Sequence, residues 1–279
     1  MKIGISSWTY GWAVGVPGYP SSAAALDAFQ LLERARSLGV AVVQIADNLP
    51  ASRLSAADIA RLGAEAARLG LTLELGTRGI DAGELGQYLG LARCLNASLV
   101  RTLLPAEIST ADAVSMLCRT LGEYERANVM LALENYEGHA TAELAQLVAA
   151  IDSPHLGICL DTVNSVGALE LPVEVLARLG PHAVNIHVKD FDIVRLPSKL
   201  GYVIEGRPAG QGRLDVPRLL DVIRQHGRDP NMIIEQWTPW QGTLEETIAL
   251  EAQWAEQSAR YLRSALAPPL RVAEAGSQA

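Results

Sequence analysis

The chain has 279 residues, of which 49% are hydrophobic and 19% charged, enough for one large α/β domain with a sizeable core. A net charge of -8, with the basic residues scattered, disfavours nucleic acid or an anionic membrane as partner. Cys94, Cys118 and Cys159 form no CxxC pair, "MKIGISSWTYGW" is no signal peptide, and no apolar run reaches the roughly 18 residues of a membrane span, so a soluble cytoplasmic protein with reduced thiols is expected.

Taken in chain order, short apolar strand signals recur. "KIGISS" begins at 2, "VVQIAD" at 42, "TLELGT" at 72 and "LVRTLL" at 99. "MLALEN" at 130, "LGICLD" at 156, "AVNIHV" at 183 and "NMIIEQ" at 231 follow. A helical pattern comes after most of them. Gly39 ends the first helix as a left-handed C-terminal glycine does. Ser55 with Asp58 opens "IARLGAEAARLG", which closes at Gly70, and Thr243 with Glu246 forms a capping-box pattern before the last long helix. Parallel strands need such crossovers, so the alternation predicts a closed (β/α)8 TIM barrel. An open doubly wound sheet is the alternative, but "GISSWTYGW" stands where a G-x-G-x-x-G would follow the first strand. One domain is expected over residues 1–266, with a flexible tail from 267 to 279. Two connections, 8–20 and 191–214, are long and read as functional loops.

The stretch "VNIHVKD", residues 184–190, carries the chemistry. In a barrel, one strand face meets the helices and the other points inward. Val184, Ile186 and Val188 form the expected outward set; Asn185, His187 and Lys189 form the inward one. Buried polar groups need partners, and a metal ion with carboxylates would supply them. Strands five, six and eight place Glu134, Asp161 and Glu235 near their C-terminal ends, the catalytic face of such barrels. Three carboxylates and one imidazole, Glu134, Asp161, His187 and Glu235, suit one hard or borderline divalent ion: Mn²⁺ first, then Mg²⁺, Co²⁺ or Zn²⁺. Taken singly, each has a plainer reading: a capping or solvated Glu, a turn-forming Asp161, a core His187.

The segments "LALENYEGH", "GICLDTVNS", "NIHVKDF", "GRPAGQGRLD" and "IIEQW" resemble the xylose isomerase-like sugar isomerase/epimerase barrels. That group includes ketose 3-epimerases, hydroxypyruvate isomerase, inosose dehydratase and related decarboxylases. The resemblance implies that Glu134, Asp161, His187 and Glu235 hold one divalent ion, often Mn²⁺, and that the protein is a homodimer or tetramer acting on a small carbohydrate or sugar acid. Two departures weaken a simple ketose epimerase reading. Asn164 stands where many epimerases have a histidine, and only Glu137 and His139 lie near the place of a second family glutamate.

A divalent ion that chelates a carbonyl and its neighbouring hydroxyl stabilises an enediolate. Glu134 and Glu235 are the candidates for the base and acid that move the proton. Lys189 either binds a substrate oxygen or pairs with Asp190 or Asp161. Arg101 ends strand four with a planar fork suited to a carboxylate. Arg207 either closes over the ligand from its long loop or stays solvated. Trp8 and Trp237, from a group that includes Trp12 and Trp240, offer faces for sugar C–H groups, and Asn164 and His139 complete the substrate-binding candidates. The expected function is a metal-dependent sugar or sugar-acid isomerase/epimerase. The alternatives are a lyase, either a decarboxylase of a 3-oxo sugar acid such as 3-oxo-isoapionate or a keto-inositol dehydratase, and a non-catalytic sugar-binding barrel.

Overall fold

Strand formation follows the apolar alternation, and closure follows from the number of units. The computed structural model describes residues 1–22 and 24–267. The tail expected from 267 lies, past Ala267, outside the described residues. Eight parallel strands close a barrel: β1 (Ile3–Ser6), β2 (Val42–Ile45), β3 (Thr72–Gly76), β4 (Leu99–Leu103), β5 (Met130–Glu134), β6 (Leu156–Asp161), β7 (Ala183–Val188) and β10 (Asn231–Ile234). Each pairs with its neighbour in sequence order, and β10 pairs with both β7 and β1. This is the closed (β/α)8 barrel that the strand–helix alternation predicts.

Helices α2 (Ala28–Leu38), α3 (Ala56–Arg68), α4 (Ala82–Leu95), α5 (Thr110–Ala127), α6 (Thr141–Ile151), α7 (Pro172–Leu179), α8 (Val216–Gln225) and α9 (Leu244–Leu266) follow the barrel strands, and a single turn, α1 (Gly11–Val14), follows β1. Side chains of Asp27, Ser55, Asp81, Ser109 and Thr243 each accept from the backbone N–H three residues on, which explains where five helices start. Gly39 takes the left-handed conformation at φ 64°, as its position predicted. On α8, Val216, Leu219, Leu220 and Ile223 repeat at helical spacing and are all buried. They join Val43, Leu75, Leu133, Ile186 and Ile234 in the core between barrel and helices. Each such side chain stabilises the fold by about 1.5–3 kcal/mol.

Two features depart from the sequence reading. Residues 191–214 are not a plain loop: β8 (Asp190–Arg195) and β9 (Tyr202–Arg207) form an antiparallel hairpin outside the barrel. Their β-branched pairs, Ile193 with Ile204 and Val194 with Val203, supply the reason. Val184 is not outward. The register between β6 and β7 shifts at Ile158/Cys159, so Asn185 rather than Val184 pairs with Cys159, and Val184 packs on the interior cluster of Leu99, Ala132 and Cys159.

The Asp190 carboxylate anchors the end of the excursion. Oδ2 accepts from the N–H groups of Gly210 and Gly212, both at 2.9 Å, and Oδ1 from Phe191 at 2.8 Å and Leu214 at 2.9 Å. A Cβ at Gly212 would collide with that carboxylate, which accounts for the glycine. Replacing Asp190 with Ala is expected to lower unfolding stability by about 1–3 kcal/mol, because the loop amides lose their acceptor. A urea midpoint equal to that of the parent protein would show that the anchor contributes nothing.

Candidate active site and metal centre

Four barrel strands bring the predicted quartet together. Glu134 ends β5 and Asp161 ends β6, His187 lies one residue from the end of β7, and Glu235 follows β10. All four are buried. His187 Nδ1 lies 3.4 Å from Glu134 Oε1, 3.4 Å from Glu235 Oε2 and 3.8 Å from Asp161 Oδ2. Asp161, His187 and Glu235 present ligand atoms within 4.8 Å of one another.

Each carboxylate is oriented by the protein. Ser6 Oγ donates to Glu235 Oε1 at 2.8 Å, leaving Oε2 toward the centre. The backbone N–H groups of Val163 and Asn164 donate to Asp161 Oδ1 at 2.9 and 2.7 Å. Asn164 Nδ2 donates to Glu134 Oε1 at 3.0 Å. Asn135 ties down the strand end: its Oδ1 accepts from the Asp161 N–H and its Nδ2 donates to the Asp161 carbonyl. Asp161 Oδ2, Glu134 Oε2 and His187 Nδ1 are buried and make no hydrogen bond. Asp161 Oδ2 faces Lys189 and Glu134 Oε2 faces Arg101 without an aligned hydrogen bond, while His187 Nδ1 faces oxygens of Glu134, Asp161 and Glu235; this oxygen-rich donor set fits a hard or borderline divalent ion. Cys159 lies beside Glu134 and His187, and burial pushes its free thiol up to about 11.

Two cations offset the acids. Lys189 Nζ sits 2.8 Å from Asp161 Oδ2 and 3.0 Å from Glu235 Oε2. Arg101 Nε lies 2.8 Å from Glu134 Oε2, close but not aligned as a hydrogen bond, and its Nη1 reaches Asp47 Oδ1 at 3.1 Å. Burial works against the charge on Glu134, but Arg101 foremost, then His187, hold its carboxyl well below the usual range. Burial likewise opposes a charged His187. The carboxylates of Glu235 and Glu134 oppose that effect and raise the imidazole above its ordinary value.

A cavity of about 300 Å³ opens over the quartet. Among the predicted substrate-binding residues, Trp8, Arg101, Asn164, Lys189 and Trp237 line it. Lys189 Nζ also stands 5.7 Å from the Trp237 ring centre. Arg101 is only 2% exposed and already engaged by Glu134 and Asp47, so its main contact is with the quartet rather than with the open cavity. His139 and Arg207 do not line the cavity. His139 packs its Nε2 against the Pro105 carbonyl at 2.9 Å, and Arg207 pairs with Glu205 and Asp192 on the hairpin. Trp12 and Trp240 stack on each other and on Tyr19 instead.

Sequence reasoning missed Asp47, Arg78 and Tyr136 and gave Glu137 no role; all four line the cavity. Asp47 follows β2 at the same rim, so the strand-end rule that found Glu134 would have found it. Its carboxylate links Arg101, Arg78 Nε at 2.5 Å and Trp8 Nε1 at 3.2 Å. Glu137 follows the strand-five glutamate by three residues and does face the site.

Residues 32–265 match the xylose isomerase-like TIM barrel family. The chain is also 39% identical over 267 residues to the 3-oxo-isoapionate decarboxylase of Pectobacterium atrosepticum, covering 94% of this chain and 95% of that protein.

The chain belongs to the xylose isomerase-like TIM barrel family.

Solved members of this fold are more distant. A xylose isomerase-like TIM barrel protein from Mycobacterium smegmatis in complex with magnesium superposes with a TM-score of 0.69 at 17% identity, over 95% of this chain and 98% of that one. The D-psicose 3-epimerase of Clostridium cellulolyticum H10 does so with a TM-score of 0.71 at 16% identity, over 96% and 100%. At such identities the likeness is one of fold.

Two outcomes follow from this geometry. Because the His187 imidazole is raised above its ordinary value, divalent metal competes with a proton there, and affinity is expected to rise with pH. Calorimetric titration of Mn²⁺ at pH 7 in buffers of different ionisation enthalpy measures this; buffer-independent heats would contradict it. Arg101→Met leaves Glu134 buried without its main counter-charge, so the metal-free variant should lose about 3–5 kcal/mol. Urea unfolding in EDTA reads the difference, and parental stability would break the pairing.

Proposed function

We propose that this protein is a divalent-metal-dependent lyase that decarboxylates a 3-oxo sugar acid of the 3-oxo-isoapionate type. The observation that carries this reading is the state of the two expected proton-transfer carboxylates. Glu134 is pinned by Arg101 at 2.8 Å and Glu235 by Lys189 at 3.0 Å. For Glu134 the pairing favours the charged carboxylate and makes it a weaker base. Epimerisation and isomerisation both begin by taking a proton from carbon, whereas decarboxylation needs none taken. The likeness to the Pectobacterium decarboxylase over 94% of the chain supports the same reading.

Glu134, Asp161, His187 and Glu235 would hold the ion, which when bound supplies Lewis acidity toward a carbonyl. The chain's own residues do the rest. The bond between the carboxylate carbon and its neighbour breaks, its electron pair moves onto the 3-oxo group as an enolate, and carbon dioxide leaves. A proton must then reach the carbon that lost the carboxylate. The Lys189 ammonium, on the cavity wall with Asn164 Oδ1 at 3.3 Å, is the donor in place. A ketone C–H is a far weaker acid than an ammonium, so transfer runs toward carbon. Lys189 regains its proton from water. Trp8 and Trp237 offer apolar faces that destabilise a carboxylate relative to neutral carbon dioxide.

The test is turnover of 3-oxo-isoapionate by Mn²⁺-loaded protein in D₂O. Carbon dioxide release with one deuterium at the former carboxyl-bearing carbon is expected. Deuterium exchange into simple ketoses without carbon dioxide would replace this reading with the isomerase/epimerase one. Lys189→Met should keep its metal yet lose about 10²–10⁴-fold in kcat; parental kcat would remove Lys189 from the proton-transfer role.

A further inference from the structure

Below the quartet, the barrel floor holds a carboxylate that the proposed chemistry does not use. Glu74 on β3 is 1% exposed, and among the described residues no Lys or Arg pairs with it. Three side-chain amides converge on it from three other strands. Glu74 Oε2 accepts from Gln44 Nε2 on β2 at 3.1 Å and from Asn185 Nδ2 on β7 at 2.8 Å. Oε1 accepts from Asn231 Nδ2 on β10 at 2.7 Å.

A primary amide has one donating end and one accepting end. With its Nε2 committed to Glu74, Gln44 must turn Oε1 the other way. There it lies 2.8 Å from His187 Nε2. An amide oxygen only accepts, so Nε2 carries a proton in either charge state of the ring. Nδ1 is then the nitrogen that gives its proton up. It is the nitrogen facing Glu134, Asp161 and Glu235, and it is one of the orphaned atoms.

We propose that Glu74 and Gln44 are positioning residues that dictate Nδ1 as the metal-ligating nitrogen of His187. The polarity runs one way, from carboxylate to amide to imidazole. A neutral amide at 74 keeps one accepting end and brings one donating end, so its NH₂ meets another N–H unless a neighbour turns round. Where Gln44 turns, its NH₂ faces Nε2 and the ring proton moves to Nδ1 against the incoming cation. Exchanging both residues, Glu74→Gln with Gln44→Glu, restores the order: the amide at 74 donates to the carboxylate at 44, which accepts from His187 Nε2. This inference rests on reading the quartet as a metal site.

Mn²⁺ affinity, measured by competition with a chelating dye alongside thermal melting, tests it. Glu74→Gln is expected to weaken binding about 10–100-fold, the range for a lost partner of a metal-bound imidazole, and the double exchange to recover most of that loss. Parental affinity in Glu74→Gln, or no recovery in a double variant that melts normally, overturns the proposal. Nitrogen NMR of the parental protein, ¹⁵N-labelled at histidine and loaded with Zn²⁺, decides the matter without any variant. Zinc on Nδ1 with a protected Nε2–H is expected; zinc on Nε2 overturns it. Parental protein that binds no divalent ion at all removes the metal-site reading itself and the proposal with it.

Discussion

Three carboxylates directed into one space shielded from water constrain the upper half of the barrel. Each buried charge left unpaired costs several kcal/mol. The surroundings answer with two cations, Arg101 on Glu134 and Lys189 between Asp161 and Glu235, and with an imidazole held toward its charged form. Those residues come from strands four and seven, next to the strands that carry the acids, so the compensation is built into the strand order. A dication in the centre would take over much of that role. Lys189 would then be surplus to local neutrality and available to the substrate, whereas Arg101, buried and shared with Asp47, stays where it is.

The site thus has layers with different tasks. At the floor, neutral amides around Glu74 set hydrogen-bond polarity. At mid-height, ligand atoms face one another. At the rim, Asp47 gathers Trp8, Arg78 and Arg101, and two tryptophan faces narrow the approach. Trp8 and Trp237 at the rim can vary without unpairing a carboxylate of the quartet, whereas Asp47 shares Arg101 with Glu134.

Much of this was legible in the sequence, for definable reasons. Strands and helices announce themselves by apolar period and caps, and the quartet by polar residues at the ends of otherwise apolar strands. What escaped was whatever depends on a partner distant in sequence. Arg101 reads as a free fork until Glu134 is seen beside it. The hairpin within 191–214 was hidden by its Pro, Gly and charged residues, although Ile193, Val194, Val203 and Ile204 alternate as strands do. Val184 was assigned to the wrong face because a register shift has no local signature. His139 and Arg207 are polar residues near the right strands that found other partners.

The Asp190 anchor has a consequence for how such barrels diversify. The same strand-and-turn segment that bears His187 and Lys189 also grips the amides of Gly210, Gly212 and Leu214, while Gly206 has no Cβ because the Trp237 carbonyl lies against it. The excursion from β7 to α8 is therefore not an independent ornament. Transplanted alone into a related barrel it would arrive without its mooring; moved as one cassette, from the inward histidine through Leu214, it brings its own. Recombination within the family should respect that block as a unit of inheritance.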